Sequence, residues 1–305
     1  MLGMNRSQIE KEPSLALARE IRLTRRWWIF FRLLTFGVIL LVVFASLDWR
    51  DTMGRHTALV NLKGTIASND VNADDMIAGL QAAFADKNTA GVILRINSPG
   101  GSPVQAGQIY DEIRRLRKLH PRIPLYVVVD DICASGGYYV AAAADRIYVN
   151  KASLVGSIGV LMDGFGFTGL MNKAGVDRRL LTAGANKGFL DPFSPVNPQQ
   201  QAYAQTMLDD IHQQFISAVR RGRGSRLKET PDMFSGLIWT GQRSVAMGLA
   251  DGFGTVDSVA RDVIHADTVV DYTPEQNLSD RFSRKLGMTL AQYFSPQSLS
   301  GWVLR

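Results

Sequence analysis

Residues 91–101 read GVILRINSPGG, an aliphatic run that ends abruptly in Ser-Pro-Gly-Gly. Such a run predicts a buried strand, because the strands of a parallel sheet that is covered on both faces are apolar throughout. Gly100 and Gly101 tolerate positive φ angles, so the chain can turn sharply after the strand and leave backbone N–H groups free. Free amides at the end of a strand suit the binding of an anion or an oxyanion.

Similar short runs recur on both sides of this strand and alternate with helical stretches. Strands are predicted at residues 57–62, 91–97, 124–130 and 146–150, with weaker candidates at 157–162 and 178–182. Helices are predicted at residues 71–86, 104–120, 135–144 and 197–221. Apolar strands that are joined by helical crossovers indicate an α/β fold with parallel pairing and covered sheet faces.

The second half of the chain carries weaker patterns. Residues 241–266 predict a helix, a turn, a short strand and a second helix. The basic run RRGRGSRLK at 220–228 is interpreted as a solvated connector rather than a phosphate-binding loop, because no aromatic residues are interleaved with its charges. Residues 271–305 are polar and mixed, and they predict a C-terminal tail.

Residues 27–47 form an apolar run of the length of a membrane span, WWIFFRLLTFGVILLVVFASL, with a single charge at Arg32. A bilayer core needs about 20 apolar residues in a helix, and Arg32 is near enough to the basic end to reach the headgroups. The run is too long and too apolar for a buried core helix. A cleaved signal peptide is disfavoured, since 26 residues precede the run and no small-x-small site follows it. We therefore expect an uncleaved transmembrane helix.

Basic residues are concentrated around this run. The formal net charge is +6, and the first 50 residues hold eight basic and four acidic residues, which argues against a nucleic-acid-binding face on the fold. The positive-inside rule predicts a cytoplasmic N-terminus, with the bulk of the chain on the periplasmic side of a bacterial inner membrane. The expected segments are a cytoplasmic segment (1–26), an anchor (27–47), a linker (48–56), the α/β domain (57–270) and the tail (271–305).

The segment CASGGYY, residues 133–139, contains two candidate nucleophiles, Cys133 and Ser135. Ser135 comes at the turn between a predicted strand and a predicted helix, where its hydroxyl would lie at the carboxyl edge of the sheet beside the Gly136 N–H. Cys133 falls two positions earlier, where the strand is still ending, so it is expected to be a buried small residue. Ser135 is therefore the candidate nucleophile.

A candidate base lies in the segment ANKGFLDPF, residues 185–193, which places Lys187 in a loop rich in glycine and aromatic residues. A lysine acts as a base only when it is neutral, and removal from water lowers a lysine pKa by up to about 3–5 units. Phe189, Leu190 and Phe193 are expected to provide such a setting. Together with Ser135 and the amides after residue 98, the loop completes a nucleophile, an oxyanion site and a base.

Other chemistries lack their motifs. The chain contains no H-E-x-x-H, C-x-x-C, G-x-S-x-G or Walker A sequence, and its four histidines lie far apart. Residues 164–169 spell G-x-G-x-x-G, but no acidic residue ends a strand about 20 positions later, so these glycines are interpreted as a tight turn. Cys133 is the only cysteine, which excludes an intramolecular disulfide. No metal and no cofactor are expected.

Several of these segments together resemble the signal peptide peptidase A family, serine peptidase family S49, in its short single-domain bacterial form. The matching motifs are INSPGG (96–101), ASGGYY (134–139), VGSIGV (155–160), DPF (191–193) and WTGQRSVAMGLADGFG (239–254). The similarity runs from about residue 57 to residue 265. It implies a Clp-protease-like, crotonase-type fold of repeated β-β-α units.

The resemblance also implies roles for individual residues. Ser135 would be the nucleophile and Lys187 the general base of a Ser-Lys dyad. Ser157 matches the family serine that hydrogen-bonds the lysine, and Gly101 and Gly136 match the donors of the oxyanion hole. The expected activity is that of a membrane-anchored serine endopeptidase, with cleaved signal peptides and similar apolar peptides as substrates. Family members form ring- or dome-like homo-oligomers in which the serine and the lysine can come from neighbouring protomers.

Three alternative functions are disfavoured by the sequence. The Clp protease uses a Ser-His-Asp triad, but no histidine lies between His120 and His212, where the triad would need one. A catalytically silent membrane scaffold is disfavoured because the serine, lysine and second serine are all present. An acyl-thioester hydrolase of the crotonase superfamily is disfavoured because nothing marks a nucleotide pocket and the expected compartment is wrong.

Overall fold

The computed structural model describes residues 27–40, 54–274 and 303–304. The chain divides into two compact units, residues 1–54 and residues 55–305. In the first unit the structure describes a helix over residues 27–40, α1, whose side chains are exposed. Of the predicted segments, 1–26 lies outside the described residues, as do residues 41–47 of the anchor (27–47), residues 48–53 of the linker (48–56) and residues 275–302 and 305 of the tail (271–305). No helix in the described part of the chain combines the length and the apolar character needed to cross a membrane.

The second unit is built on an eight-stranded sheet. Its strands are β1 (His56–Lys63), β2 (Thr89–Ser98), β3 (Leu125–Ala134), β4 (Arg146–Val149), β5 (Leu154–Gly156), β7 (Ile238–Thr240), β8 (Gly252–Phe253) and β9 (Val269–Asp271). The order is β7-β5-β3-β2-β1-β9, and β4 pairs with both β3 and β8. All pairs are parallel except β5 with β7. A separate antiparallel pair joins β6 (Met162–Asp163) to β10 (Val303–Leu304).

Helices connect these strands and cover the sheet. They are α2 (Ala73–Ala85), α3 (Pro103–Leu119), α4 (Gly136–Ala141), α5 (Thr168–Ala174), α6 (Pro198–Arg223), α7 (Gly241–Ala246) and α8 (Val256–Val259), the last continuing as a π-helical turn (Ala260–Ile264). The starts of the three longest follow capping rules: Asn72, Ser102 and Asn197 each accept a backbone N–H of the first turn. The predicted α/β class is confirmed.

The sheet is apolar on both faces, which produces two cores. On β2, Leu94 and Ile96 belong to the larger cluster under α2, α3 and α4, whereas Ile93 belongs to a smaller cluster with Val128 and Ile264. Alternate residues of a strand point to opposite faces, so a continuous aliphatic run is needed to fill both. This requirement explains why GVILRIN contains so few polar residues.

The two weaker strand predictions are wrong. Residues 157–161 do not continue β5, because Gly156 at φ 121° and Ser157 at φ 50° turn the chain away from the extended conformation. Pairing resumes only at β6. Residues 178–182 form no strand, and Leu181 is 96% exposed, so the apolar residues there do not enter the core.

The basic run at 220–228 is only partly the solvated connector that its composition predicted, since Arg220, Arg221 and Lys228 are exposed but two other arginines are not. Helix α6 continues through Arg223, whose side chain is buried and donates to the Gly248 carbonyl at 2.9 Å and to Asp251 at 2.8 Å. Arg226 donates to the other Asp251 oxygen at 3.2 Å. Burial opposes ionisation of Asp251, but the two guanidinium groups outweigh it and hold the pKa of its carboxyl below the usual value. The burial of Arg223 therefore depends on acceptors that lie 25 and 28 residues away in the chain, which a local sequence pattern does not show.

Candidate active site

Ser135 occupies the single position between the end of β3 and the start of α4. Its φ of 51° and ψ of −125° lie in a region that residues with a side chain rarely adopt, at a cost of about 1–3 kcal/mol. The Ser135 amide donates to the Gly156 carbonyl and its carbonyl accepts from the Tyr139 amide, both at 2.9 Å. The backbone is thus held on both sides, and the side chain is left without a capping role in α4.

The turn after β2 packs directly against the turn after β3. The pairing of Ser98 with Cys133 brings both strand ends to the same edge of the sheet. Gly100 has φ 103°, and a Cβ on it would lie 2.7 Å from both the Gly136 nitrogen and the Ser135 Cβ. Only glycine permits this approach, since real Cβ contacts do not come so close.

Two backbone amides lie together beside the serine. The Gly101 nitrogen is 3.3 Å from the point where a Cβ of residue 136 would stand, and Gly136 follows Ser135 directly. Neither the Gly101 N–H nor the Gly136 N–H donates to another described residue. A pair of unused amides next to a serine hydroxyl is the arrangement that stabilises a developing oxyanion.

Ser157 lies next to Ser135 on the neighbouring strand end. In the parallel pair of β3 and β5, Ala134 is opposite Gly156, and a serine follows each of these residues. Ser157 also has a positive φ, 50°, and its amide donates to the Leu237 carbonyl at 2.8 Å. The structure therefore brings four of the five predicted site residues to one sheet edge: Gly101, Ser135, Gly136 and Ser157.

A small cavity of about 40 Å³ lies against this edge. Ser135 lines the cavity together with Gly101 and Gly136, the two glycines of the amide pair. The remaining wall of the cavity comes from α3, α4, the segment after Ser157 and α6. The residues that complete the wall are Pro103, Ala106, Tyr139, Gly159, Val160, Ile211, Gln214 and Phe215. The candidate nucleophile thus faces a defined space.

Lys187 is the one predicted site residue that lies elsewhere. It belongs to an extension between β6 and α6, residues 164–197, which we call the arm, and no residue of the arm is buried. The Lys187 side chain is exposed and does not line the Ser135 cavity. The expected apolar setting is absent within the described protomer, because Phe189 packs against Tyr203 and Phe193 against Phe167.

The arm is nevertheless ordered by its own hydrogen bonds. Asp191 accepts the Ser194 hydroxyl at 2.6 Å, and this bond, together with Arg178 at 3.4 Å, holds the pKa of the Asp191 carboxyl below its usual value. Gln200 of α6 accepts the amide of Leu190, which has φ 53°. The loop that carries Lys187 therefore has a defined shape although it is exposed.

Comparison with known protein families agrees with these motifs. The sequence model of Peptidase family S49 matches residues 117–269, and that of Clp protease matches residues 48–155. The chain belongs to peptidase family S49. Its predicted membership and its Clp-protease-like domain are confirmed.

Individual relatives differ in how much of their length is shared. The chain is 46% identical over 182 residues to a Na(+)/H(+) antiporter NhaA of Brucella abortus (strain 2308), covering 60% of this chain and 25% of the relative. It is 30% identical over 236 residues to a provisionally named protease of Synechocystis sp., and the match covers 74% of this chain and 83% of the relative. It is 30% identical over 206 residues to a provisionally named signal peptide peptidase SppA of Enterococcus faecium, and the match covers 66% of this chain and 59% of the relative. The chain spans about a quarter of the first of these relatives.

Residues of this S49 chain that carry no motif also shape the site. Ile211, Gln214 and Phe215 of α6 line the Ser135 cavity from far along the sequence. His212 Nε2 lies 3.1 Å from the Ile158 carbonyl and ties α6 to the segment after Ser157. The four-residue spacing of Ile211 and Phe215 predicts a buried helix face, but a spacing does not say what that face packs against.

Cys133 is confirmed as a buried residue. Its side chain is 0% exposed, and burial strongly raises the pKa of its thiol, so a thiolate is disfavoured. Among the described residues there is no group of three or more His, Cys, Asp or Glu side chains that could hold a metal ion.

Proposed function

We propose that this chain is a membrane-anchored serine endopeptidase that hydrolyses peptide bonds with a Ser135–Lys187 dyad through an acyl-enzyme. The observation that carries the proposal is the strained Ser135 beside the unused amides of Gly101 and Gly136. Strain of this kind persists only where the surroundings impose it, and it is concentrated at catalytic turns. Membership of family S49 supports the same activity.

The proposed reaction has two halves. The Ser135 hydroxyl oxygen attacks the carbonyl carbon of the scissile bond, while the neutral Lys187 amine takes the hydroxyl proton. The carbonyl electron pair moves onto oxygen, where the N–H groups of Gly101 and Gly136 stabilise the charge. Collapse breaks the C–N bond, and the leaving amine takes the proton from Lys187. A water molecule, deprotonated by Lys187, then attacks the acyl carbon. The bond between that carbon and the Ser135 Oγ breaks, and the Ser135 oxygen takes the proton from Lys187.

We propose that the lysine reaches a serine of a neighbouring protomer in a homo-oligomer. Within one protomer Lys187 is exposed on the arm and outside the Ser135 cavity. The arm also exposes large apolar side chains, which a second protein surface would cover: Phe165, Leu170, Val176, Leu180, Leu181 and Val196. Contact with another copy would remove Lys187 from water, and this would favour the neutral amine. The Ser157 hydroxyl would then accept a hydrogen bond from the Lys187 amine or donate one to it.

The proposed substrates are remnants of cleaved signal peptides and similar apolar peptides. The Enterococcus relative carries the name signal peptide peptidase. An anchor at residues 27–47 would hold the enzyme in the lipid bilayer where such peptides remain. The excess of basic residues before the anchor favours a cytoplasmic N-terminus and a catalytic domain on the periplasmic side of the inner membrane.

Labelling with a fluorophosphonate tests the nucleophile in the detergent-solubilised full chain. The wild type and Ser225→Ala, which removes an exposed serine outside the site, should be labelled. Ser135→Ala should not be labelled, and mass spectrometry of the wild type should locate the adduct on Ser135. An unlabelled, folded and oligomeric wild type would refute the peptidase and support a silent scaffold.

Complementation tests the origin of the lysine. Ser135→Ala and Lys187→Ala are each expected to be inactive, whereas co-expression in one assembly should recover peptide hydrolysis, since some serines would then meet an intact lysine of a neighbour. Co-expression of Ser135→Ala with Ser157→Ala serves as the comparison. In that assembly every intact Ser135 lacks Ser157 on its own protomer, so its activity shows how much Ser157 contributes. An inactive mixed assembly of the first pair would mean that the dyad forms within one protomer.

A further inference from the structure

We infer that the edge of the sheet opposite Ser135, where the parallel strands begin, binds the headgroups of anionic lipids and so holds the domain on the membrane surface in one orientation. The inference rests on the membrane anchor of the proposed function. Three features carry it: a surplus of exposed basic side chains, an exposed leucine between two of them, and the point at which the chain enters the domain.

The strands β1, β2, β3 and β4 are parallel, so they begin at one edge of the sheet, which we call the entry edge. An exposed basic side chain stands at or just before each of these starts. Arg55 precedes β1, Lys87 lies two residues before β2, Arg122 lies three residues before β3, Arg146 is the first residue of β4, and Lys118 is in the last turn of α3. Within the described part of the chain none of the five forms an ion pair.

The carboxylates of the entry edge are directed into the fold. Asp145 is half-buried and accepts the Arg117 guanidinium at 3.0 Å and the Leu125 amide at 2.9 Å, so the end of α3 and the starts of β3 and β4 meet at this side chain. Asp86 accepts the Tyr272 hydroxyl at 2.6 Å. The five exposed cations therefore remain in surplus on the outer surface of this edge.

Helix geometry does not explain this charge. Helix C-termini favour basic residues, which accounts for Lys118. The other four cations lie outside helices. At the Ser135 edge, by contrast, the exposed acids Asp74 and Asp131 balance the exposed lysines Lys63 and Lys151. The positive charge therefore belongs to one edge of the domain.

An exposed leucine lies within this basic surface. Leu119 is 58% exposed and stands between Lys118 and Arg122. The turn that follows it is fixed, because the His120 ring packs on the buried Phe84 at a ring distance of 5.6 Å. Single exposed apolar residues are common, but one flanked by basic residues suits a membrane interface, where the aliphatic group enters the acyl boundary and the cations meet phosphates.

The chain also enters the domain at this edge. The predicted anchor ends at residue 47, so Arg55 lies no farther than about 30 Å from the end of the anchor. Basic side chains that come within about a Debye length of an anionic leaflet are attracted to it. A lipid surface is favoured over nucleic acid, because the membrane tether leads here and the exposed apolar group is aliphatic, not an aromatic stacking platform.

A bound entry edge would set the height of the nucleophile. Strand β3 has ten residues and runs from the entry edge to Ser135, and a strand rises about 3.3 Å per residue. Ser135 would therefore stand about 30 Å above the headgroups. A peptide that remains in the bilayer would be cleaved only in a segment long enough to reach this height.

Fluorescent labels at the two ends of α3 test the contact. The full chain would be reconstituted into vesicles of phosphatidylcholine, alone or mixed in equal amounts with phosphatidylglycerol, with a nitroxide-bearing lipid as quencher. Leu119→Cys carries the label at the entry edge. Val104→Cys is the matched control, since Val104 is 70% exposed and lies about 22 Å away along the same helix. The native Cys133 is buried.

We expect phosphatidylglycerol to increase quenching of the label at position 119 and not of the label at position 104. About 0.5 M NaCl should reverse the increase, because salt screens the attraction. No quenching at position 119, or equal quenching at both positions, would overturn the inference.

Charge removal tests the named side chains. Each basic residue near an anionic leaflet favours contact by about fivefold, so Lys118→Gln with Arg122→Gln should lower the equilibrium constant for contact by about 25-fold. Lys63→Gln with Lys151→Gln removes the same charge from exposed positions at the Ser135 edge and should leave the contact unchanged. An unchanged contact in the first pair, or an equal loss in both, would contradict the assignment.

Two further measurements separate this inference from the proposed function. If the chain stays with the vesicles through an alkaline carbonate wash while the label at position 119 is unquenched, the lipid contact is wrong and the anchor stands. If the wash removes the chain, the anchor is wrong and the inference fails with it. Quenching without fluorophosphonate labelling of Ser135 would support the lipid contact and refute the peptidase. Binding of duplex DNA through Lys118 and Arg122 without quenching would overturn the lipid assignment.

Discussion

The Ser135 edge and the Lys187 arm are built in opposite ways, although the proposed reaction needs both. Around Ser135, paired strand ends, close glycine contacts and a buried aromatic wall hold the nucleophile and two amides in one arrangement. The arm has no buried residue and displays apolar side chains to solvent. This contrast is the basis for the proposal that a neighbouring protomer completes the base site.

The largest expected effect on activity comes from the arm and leaves stability unchanged. Lys187→Ala should lower kcat/KM by about 10⁴-fold or more, as loss of a catalytic base does. Because the side chain is exposed, the free energy of unfolding should change by less than about 0.5 kcal/mol. Peptide hydrolysis and thermal unfolding measure the two quantities. Lys173→Ala, an exposed lysine on the same arm, should change neither, and wild-type activity in Lys187→Ala would mean that the base is another group.

The largest expected effect on stability comes from the buried ion pair that ends α6. Asp251→Asn should destabilise the fold by about 3–5 kcal/mol at neutral pH, because Arg223 keeps its charge and loses its partner. The folded-state pKa of Asp251 is lowered, so its contribution is present above the unfolded value of about 3.9 and is lost as the pH falls through the folded value.

Thermal unfolding at several pH values measures this contribution. The difference between Asp251→Asn and the wild type should begin to shrink below about pH 4, where the carboxyl of the unfolded chain takes up a proton, and should vanish once the folded carboxyl is neutral as well. Asp262→Asn removes an exposed carboxyl with an exposed arginine partner and should show little difference at any pH. A constant gap between Asp251→Asn and the wild type down to pH 2 would contradict this account.

A change at the rigid edge should reduce activity and stability together. In Gly100→Ala the new Cβ would meet the Gly136 nitrogen and the Ser135 Cβ at 2.7 Å, so the two turns must separate. Loss of one oxyanion donor lowers kcat by about 10²–10³-fold, and the melting temperature should fall as well. Gly107→Ala, where a Cβ meets nothing within 4 Å, is the control. Full activity in Gly100→Ala would show that the close approach is not needed.

A polar substitution on the arm should have the smallest effect on the stability of the protomer. Leu181→Ser should alter the unfolding free energy of the protomer by less than about 0.5 kcal/mol, since this side chain is 96% exposed. If the arm packs on a second copy, the same change should weaken assembly in analytical ultracentrifugation. Lowered stability with unchanged assembly would reverse the contrast between the arm and the Ser135 edge.

Local sequence patterns predicted most of the fold and part of the site. The strands around residues 91–97 and 124–130 are continuous aliphatic runs, and their burial on both faces follows directly from that composition. Ser135 and Gly100 stand at the ends of such strands, where a turn was foreseeable. The predicted strand at 157–162 failed because positive φ angles at Gly156 and Ser157 turn the chain. The predictions for 178–182 and for part of 220–228 failed because their environment depends on distant residues or on solvent exposure.

The sequence by itself determined the α/β class through strand periodicity and the family through its ordered motifs. It also placed Ser135 and the paired glycines at strand ends, because turn residues act over a few positions. Only the tertiary structure decided that α6 closes the cavity, that Arg223 is buried against Asp251 and that Lys187 lies outside the cavity. These outcomes depend on packing between segments far apart in the chain. No local pattern encodes which surface a helix face or a basic side chain will meet.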